Sequence, residues 1–240
     1  MSDTGPLFVE FVGVPASGKS TLASALVEDL ENEEIQVRTP VTDINQVESR
    51  VSRVPLKAAY VLRYLWKRPL RAAGWMRTFQ SISDSTIRDT VRTQFNWLFV
   101  AGVIHMGWSA EGVTVTDQGL FQAYWSIVLG DPEPPINWIR PLIEKEFNGA
   151  ELRVILVEAD PDVVRRRLSS RSANPSRISV DTKGDYSLKD AMLTYEYVAE
   201  SLLELGDRDP TVSVLRCTNN EKQDLARNVE RIKSTLFSPQ

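Results

Sequence analysis

The chain has 240 residues, of which 42% are hydrophobic, and its formal net charge is −4. This length can bury a full hydrophobic core, and the acidic balance argues against binding of nucleic acids through their phosphate backbone. The single cysteine, Cys217, excludes an internal disulfide and a cluster of thiolate metal ligands. Since neither a signal-like N-terminus nor an apolar run of about 18 residues is present, we expect a cytoplasmic protein without a transmembrane segment.

Short apolar runs alternate with segments of helical period, which is typical of a parallel sheet covered by helices. We predict five strands, at residues 7–13, 35–40, 113–117, 153–160 and 211–216. Helices are predicted at about 19–31, 119–130, 136–147, 161–171, 187–205 and 221–236, with two or three more in an insertion at about 54–110. Asp160 is predicted to cap the helix that begins at Pro161. Gly206 is predicted to end the helix at 187–205. The predicted fold is α/β, a doubly wound sheet of five parallel strands in a single domain spanning 1–240.

The segment GVPASGKS, residues 13–20, follows the first predicted strand and opens the first predicted helix. It matches the pattern G-x-x-x-x-G-K-[ST], in which glycines let backbone N–H groups face phosphate oxygens at a helix N-terminus. Lys19 is expected to reach the β- and γ-phosphates, and the Ser20 hydroxyl to complete the shell of a magnesium ion. The sequence therefore predicts a nucleoside triphosphate site formed by Gly13, Pro15, Ala16, Ser17, Gly18, Lys19, Ser20 and Thr21.

Asp117 ends the third predicted strand. Ligands of open parallel sheets lie beyond the carboxyl ends of the strands, so Asp117 is expected to project toward the same crevice as residues 13–20. It is a candidate Mg²⁺ ligand together with Ser20, or a candidate general base toward an acceptor hydroxyl. The remaining interpretation is that it only caps the next helix. Asp43, just past the second strand, either contacts the acceptor or caps a helix.

Arginines crowd the segment after the fourth predicted strand. Arg167 and Arg171 lie four residues apart on one helical face, and Arg177 follows in a polar loop. Guanidinium groups neutralise charge that spreads over a phosphoryl group in transfer, so these three are candidate catalytic residues. Arg171 and Arg177 fall in a lid predicted at about 171–187. The alternative is a solvated helical face.

Three stretches together resemble the P-loop kinases of the nucleoside and nucleoside-monophosphate kinase group, and the thymidylate-kinase-like branch most closely. They are GVPASGKST at 13–21, TDQG at 116–119, and DPDVVRRRLSSR at 160–171 with the SRI that follows at 176–178. The resemblance implies a P-loop NTPase fold and a kinase that transfers the γ-phosphoryl group of Mg²⁺·ATP to a small-molecule acceptor. It also implies that residues 216–220 lie against the adenine base.

The same resemblance leaves the acceptor open. Thymidylate-type kinases typically follow the acidic residue of the third strand with an arginine that holds the acceptor's phosphate, whereas Gln118 stands here. A nucleotide, a nucleoside and a sugar are all candidates. The competing function is a switch that binds or hydrolyses a nucleotide without an acceptor. The arginine-bearing lid favours the kinase, because shielding from water helps transfer to an acceptor.

The insertion is basic and aromatic. From Arg50 to Arg92 it has ten Lys/Arg against two Asp/Glu, a local balance of +8. Three interpretations are open: an acceptor site, a surface at 54–79 that contacts an anionic membrane or a protein partner, and ordinary core packing. The aromatic residues concerned are Tyr60, Trp66, Trp75 and Phe79. The sequence gives no oligomeric state.

Overall fold

The strands were located in a computed structural model, which describes residues 6–47, 50–82, 87–107, 112–129, 139–147, 149–170, 178–179 and 186–237. They are β1 (Leu7–Val12), β2 (Val37–Arg38), β3 (Val113–Thr116), β4 (Glu151–Glu158), β5 (Ile178–Ser179), β6 (Tyr186–Ser187) and β7 (Val212–Thr218). Five of them form one parallel sheet in the order β2-β3-β1-β4-β7, while β5 and β6 pair separately. This arrangement confirms the predicted α/β class with a five-stranded parallel sheet.

The helices follow in chain order between and after the strands. They are α1 (Lys19–Asn32), α2 (Pro40–Gln46), α3 (Arg50–Lys67), α4 (Pro69–Ile82), α5 (Ile87–Gly107), α6 (Leu120–Ile127), α7 (Ile139–Glu146), α8 (Pro161–Ser169), α9 (Leu188–Gly206) and α10 (Gln223–Leu236). Three of them, α3 to α5, lie in the segment between β2 and β3 where the basic insertion was predicted.

Most buried side chains on both faces of the sheet are apolar, because helices cover both faces. In β1, Val9 and Phe11 point to the face covered by α1 and α10, where they join a buried cluster with Leu22. Phe8 and Val12 point to the opposite face, in a larger cluster with side chains of α5, α6 and α9. Since all five strands run the same way, their carboxyl ends meet at one edge of the sheet.

Several predicted element boundaries were wrong. The second strand pairs only over Val37–Arg38, because Pro40 is the first residue of α2. By contrast, α8 begins at Pro161 with Asp160 as its N-cap residue, as predicted, although the Asp160 side chain makes no capping hydrogen bond. Gly206 does not stop α9, whose last turn passes through it to a cap at Asp207. A side-chain carbon at Gly206 would lie 3.1 Å from Val214 Cγ2, so a close approach to β7 explains this glycine better than a helix end.

Candidate functional site

The loop from Gly13 to Gly18 joins β1 to α1 at the carboxyl edge of the sheet. Ala16 and Gly18 adopt left-handed backbone conformations, with φ of 69° and 100°. A side-chain carbon on Gly18 would overlap the amide nitrogen of Asn219, and one on Gly13 would lie 2.5 Å from the carbonyl oxygen of Val157. Both glycines of the motif are therefore required by close backbone packing, and Gly18 also by its conformation.

The interior of this loop is lined by hydrogen-bond donors. Helix α1 begins at Lys19, so the N–H groups of its first turn have no acceptor within the helix and carry its positive dipole end. The Ser17 N–H donates to the Val14 carbonyl at 3.1 Å, and the Gly13 N–H donates to Gln122 Oε1 at 3.1 Å. Lys19 Nζ donates to the carbonyls of Gly13 and Val14, at 2.6 and 3.0 Å. A lysine ammonium and helix N–H groups thus converge where an anion binds most favourably.

Ser20 and Asp117, both predicted to face the crevice, lie in direct contact. Ser20 Oγ donates to Asp117 Oδ2 at 2.5 Å. Asp117 is the first residue after β3, and only 9% of its surface is exposed. The contact joins the start of α1 to the end of the neighbouring strand.

This pair fits a magnesium ion that is bound together with phosphates. Mg²⁺ prefers oxygen ligands and is usually held by one or two carboxylates plus phosphate oxygens. Over the described ranges, no three His, Cys, Asp or Glu side chains gather into a group able to hold a metal alone. Ser20 and Asp117 would hold Mg²⁺ together with the phosphate oxygens of a nucleotide.

A buried carboxyl group, which the sequence analysis did not single out, supports the loop from below. Glu10 lies in β1 on the same face as α6, with 1% of its surface exposed. Its Oε1 accepts the Gln122 N–H at 2.9 Å, and the N–H groups of Leu120 and Phe121 also face it. Burial raises the pKa of Glu10 to about 8, although these three N–H groups act to lower it.

Glu10 acts on the loop through the first turn of α6. A side-chain carbon at Gly119 would overlap the Glu10 carboxyl group, so a glycine lets the helix start directly on it. The same turn places Gln122, whose side chain accepts the Gly13 N–H. The signal for Glu10 was present in the sequence as one acidic residue inside the apolar strand LFVEFV.

The opposite side of the loop is held by Arg167 and by the turn after β7. Arg167 donates to the carbonyls of Ala16, Ser17 and Asn220, at 3.4, 3.2 and 3.1 Å. Asn219 Nδ2 donates to the Ser17 carbonyl at 2.9 Å. Arg167 thus packs against the carbonyl side of the loop, which makes it a positioning residue in this arrangement. Its direct contact with a phosphoryl group stays a prediction.

The two predicted lid arginines lie outside the described residues. This holds for Arg171 and Arg177 and for most of the predicted lid at 171–187. Residues 216–220 do reach the loop through Asn219, but their contact with an adenine base stays a prediction.

Two cavities open beside the contact between Ser20 and Asp117. The first, of about 280 Å³, lies between the loop and α6, and its lining includes Asn96, Gln118, Gln122, Trp125 and Ser126. The second, of about 210 Å³, lies between α1, α2 and β3, and its lining includes Glu28, Glu31 and Asp43. No described residue of α3 or α4 lines either cavity. The described residues of α3 and α4 therefore do not contribute to these two cavities, whereas α5 does so through Asn96.

The comparisons with known proteins add little to this geometry. No protein-family model matches the chain, and no curated protein matches it. Among solved structures, the chain is similar to shikimate kinase from Bacteroides thetaiotaomicron, with 12% sequence identity, 97% of this chain and 99% of that chain covered, and a TM-score of 0.43. A likeness of this degree carries no argument about activity, and the resemblance to the thymidylate-kinase-like branch stays a prediction.

Proposed function

We propose that the protein is a kinase that transfers the γ-phosphoryl group of ATP, in the presence of Mg²⁺, to a hydroxyl group of a small neutral molecule. The observation that carries this proposal is the 2.5 Å contact between Ser20 and Asp117 at the mouth of the loop. It joins a metal-organising pair to a phosphate-binding turn and to Lys19, which are the parts that phosphoryl transfer requires.

The loop residues have separable roles in this proposal. The first turn of α1 binds the phosphate tail through its N–H groups. Lys19 exchanges its present carbonyl acceptors for phosphate oxygens and stabilises the charge that develops on the transferring group. Ser20 and Asp117 would hold Mg²⁺, which would supply charge neutralisation to the phosphate tail when bound. Because Oδ2 of Asp117 is already engaged by Ser20, we assign Asp117 to the metal rather than to the acceptor proton.

The lining of the larger cavity supports an acceptor without a phosphate group. Its charged side chains among the described residues are Lys19 and Asp117, and it contains no described arginine. Anionic acceptors are usually gripped by guanidinium groups in bidentate contacts, which this lining does not offer. Amide and hydroxyl side chains suit the hydroxyl groups of a sugar or nucleoside instead. Trp125 adds an aromatic surface that is fixed by a hydrogen bond from Nε1 to the Ala191 carbonyl at 3.3 Å.

The test begins with nucleotide binding and ends with the acceptor. Isothermal titration calorimetry of the full chain with Mg²⁺·ATP should give a binding isotherm, and absence of heat with both ATP and GTP would remove the site itself. ADP release is then measured with a panel of sugars, nucleosides and nucleoside monophosphates. A neutral member of the panel should stimulate it. Lys19→Ala should abolish the stimulated rate, while the matched variant Lys189→Ala, at an exposed position of α9, should retain it.

Two outcomes would contradict parts of the proposal. Equal ADP release with and without every acceptor would indicate a nucleotide-hydrolysing switch. Stimulation by nucleoside monophosphates alone would show that the acceptor carries a phosphate, and the assignment to neutral molecules would be wrong.

A further inference from the structure

Helices α3 and α4 expose a row of large apolar side chains, which we call the apolar ridge: Leu62, Trp66 and Leu70. The exposed fractions of these residues are 65%, 84% and 88%. Leu62 and Trp66 lie one helical turn apart, and the Ala72 N–H bond to the Arg68 carbonyl at 3.0 Å carries the helical path past the break between α3 and α4. Exposing three large apolar side chains, spaced four residues apart, to water is unfavourable unless another surface covers them.

The exposure of the apolar ridge does not result from helices that fail to pack against the core. Their inner face is already occupied, since Val61, Tyr64 and Trp75 are buried in the main core. Two of these side chains are fixed by one acceptor, because Tyr64 Oη and Trp75 Nε1 each donate to Glu146 Oε1 at 2.7 Å. The ridge therefore belongs to the outer face of an anchored helix pair.

The charge around the ridge has a single sign. Residues 50–82 contain eight of the 28 Lys/Arg of the chain and none of its 32 Asp/Glu, which leaves a balance of −12 for the rest. Arg63 and Lys67, which follow Leu62 and Trp66 directly in the chain, are exposed, and so is Arg77 on α4. An anionic surface would attract this face and repel the remainder of the molecule, so the charge distribution also fixes the orientation of docking.

We propose that the apolar ridge and the exposed basic side chains beside it dock the protein on the surface of an anionic phospholipid bilayer. Tryptophan places its ring at the level of lipid headgroups, leucines enter the acyl boundary, and Arg and Lys contact the headgroup phosphates. A second copy of the chain fits less well, because two faces of the same positive charge would repel. In the described part of the chain, no helix has the length and apolar character to cross a bilayer, so the contact is peripheral. This inference does not depend on the proposed kinase activity.

The experiment measures co-sedimentation of the full chain with vesicles. One set contains phosphatidylglycerol and phosphatidylcholine in equal parts, and the other contains phosphatidylcholine alone. The wild-type protein should bind the first set at least about tenfold better than the second, and added salt should weaken the binding. The triple variant Leu62→Ser, Trp66→Ser, Leu70→Ser should lose at least about tenfold in binding to the anionic vesicles.

Matched controls separate the ridge from general surface effects. Leu193→Ser changes a leucine of α9 that is 48% exposed and should bind as wild type does. The charge variant Arg63→Glu, Lys67→Glu, Arg77→Glu should lose binding. Arg208→Glu, at an exposed site in the turn that follows α9, should not. Thermal unfolding confirms that the variants fold, and since none of the ridge residues lines the crevice, their turnover without vesicles should be unchanged.

The proposal is overturned if wild type and the triple serine variant bind anionic vesicles equally, or if neither binds. In the second case, sedimentation velocity decides what covers the ridge instead. Self-association that the serine variant abolishes would identify a second copy, and a monomer would leave an acidic protein as the partner.

Discussion

The loop at 13–20 and the helix pair α3–α4 hold their charged groups in opposite ways. Around the loop, Lys19, Asp117 and Arg167 each contact another part of the site, and Glu10 is buried beneath it. On α3 and α4, basic side chains reach solvent from a segment that has no acidic residue. Within the described residues, the basic segment α3–α4 is therefore separate in the chain from the loop where phosphate is expected to bind.

The contrast shows why a net acidic protein is compatible with the proposed nucleotide site. Under that proposal a phosphate tail in the loop would be held by backbone N–H groups, a helix dipole and one lysine, none of which needs a large positive field. The proposed contact of the basic helix pair would rely on long-range attraction and on exposed apolar surface. The count of basic residues in the insertion is thus no argument for a phosphorylated acceptor. Variants at four positions test the two proposals.

The largest effect is expected at Asp117. Asp117→Asn removes a charge that is proposed to organise Mg²⁺ beside Ser20, so turnover should fall about 1,000-fold and the Mg²⁺ concentration for half-maximal rate should rise. The matched variant is Asp43→Asn, because Asp43 lines the neighbouring cavity and accepts the Thr39 hydroxyl at 2.7 Å. A steady-state rate series over Mg²⁺ concentration measures both. Equal losses in the two variants would mean that the contact between Ser20 and Asp117 has no special part in transfer.

The second effect concerns Glu146, which accepts hydrogen bonds from both α3 and α4. Glu146→Leu leaves the buried Tyr64 hydroxyl and Trp75 indole N–H without their acceptor, so the free energy of unfolding should fall by about 3 kcal/mol. Glu146→Gln keeps an acceptor oxygen and should lose less. Glu144→Leu changes an exposed residue of the same helix and should be nearly neutral. Urea unfolding measures the three variants, and similar losses for Glu146→Leu and Glu144→Leu would contradict an anchoring role.

The sequence predicted the crevice better than the insertion for a physical reason. Residues 13–20 and Asp117 could be placed at one edge of the sheet because the motif and the parallel sheet fix where a strand's carboxyl end lies. Trp66 and Trp75 could not be told apart, since their burial depends on which face of the helices meets the core. That choice is made by Glu146, 71 residues after Trp75 in the chain. Glu10 was missed because a single acid in a strand reveals its burial only after α6 is placed over it.

The third effect is a pH dependence of stability. The pKa of Glu10 is raised from 4.5 to about 8 by burial, so the folded chain keeps a proton that the unfolded chain has released. Stability is therefore present at low pH and is lost as the pH rises toward 8, by up to about 1.4 kcal/mol per pH unit. Glu10→Gln should flatten this slope, while Glu200→Gln, at an exposed site of α9, should not. Urea unfolding at several values between pH 5 and 8 provides the measurement, and identical slopes in wild type and Glu10→Gln would exclude this role.

The smallest effect is expected at Arg167, where the positioning role and the predicted catalytic role give different kinetics. A lysine cannot bridge the carbonyls of Ala16, Ser17 and Asn220 at once, because it lacks the planar fork of a guanidinium group. If Arg167 only positions the loop, Arg167→Lys should weaken ATP binding about fivefold and lower the turnover number by no more than that factor. If it touches the transferring phosphoryl group, the turnover number should fall far more than the affinity. Arg166→Lys, at the exposed neighbouring position, is the matched control, and calorimetry with single-turnover kinetics separates the two cases.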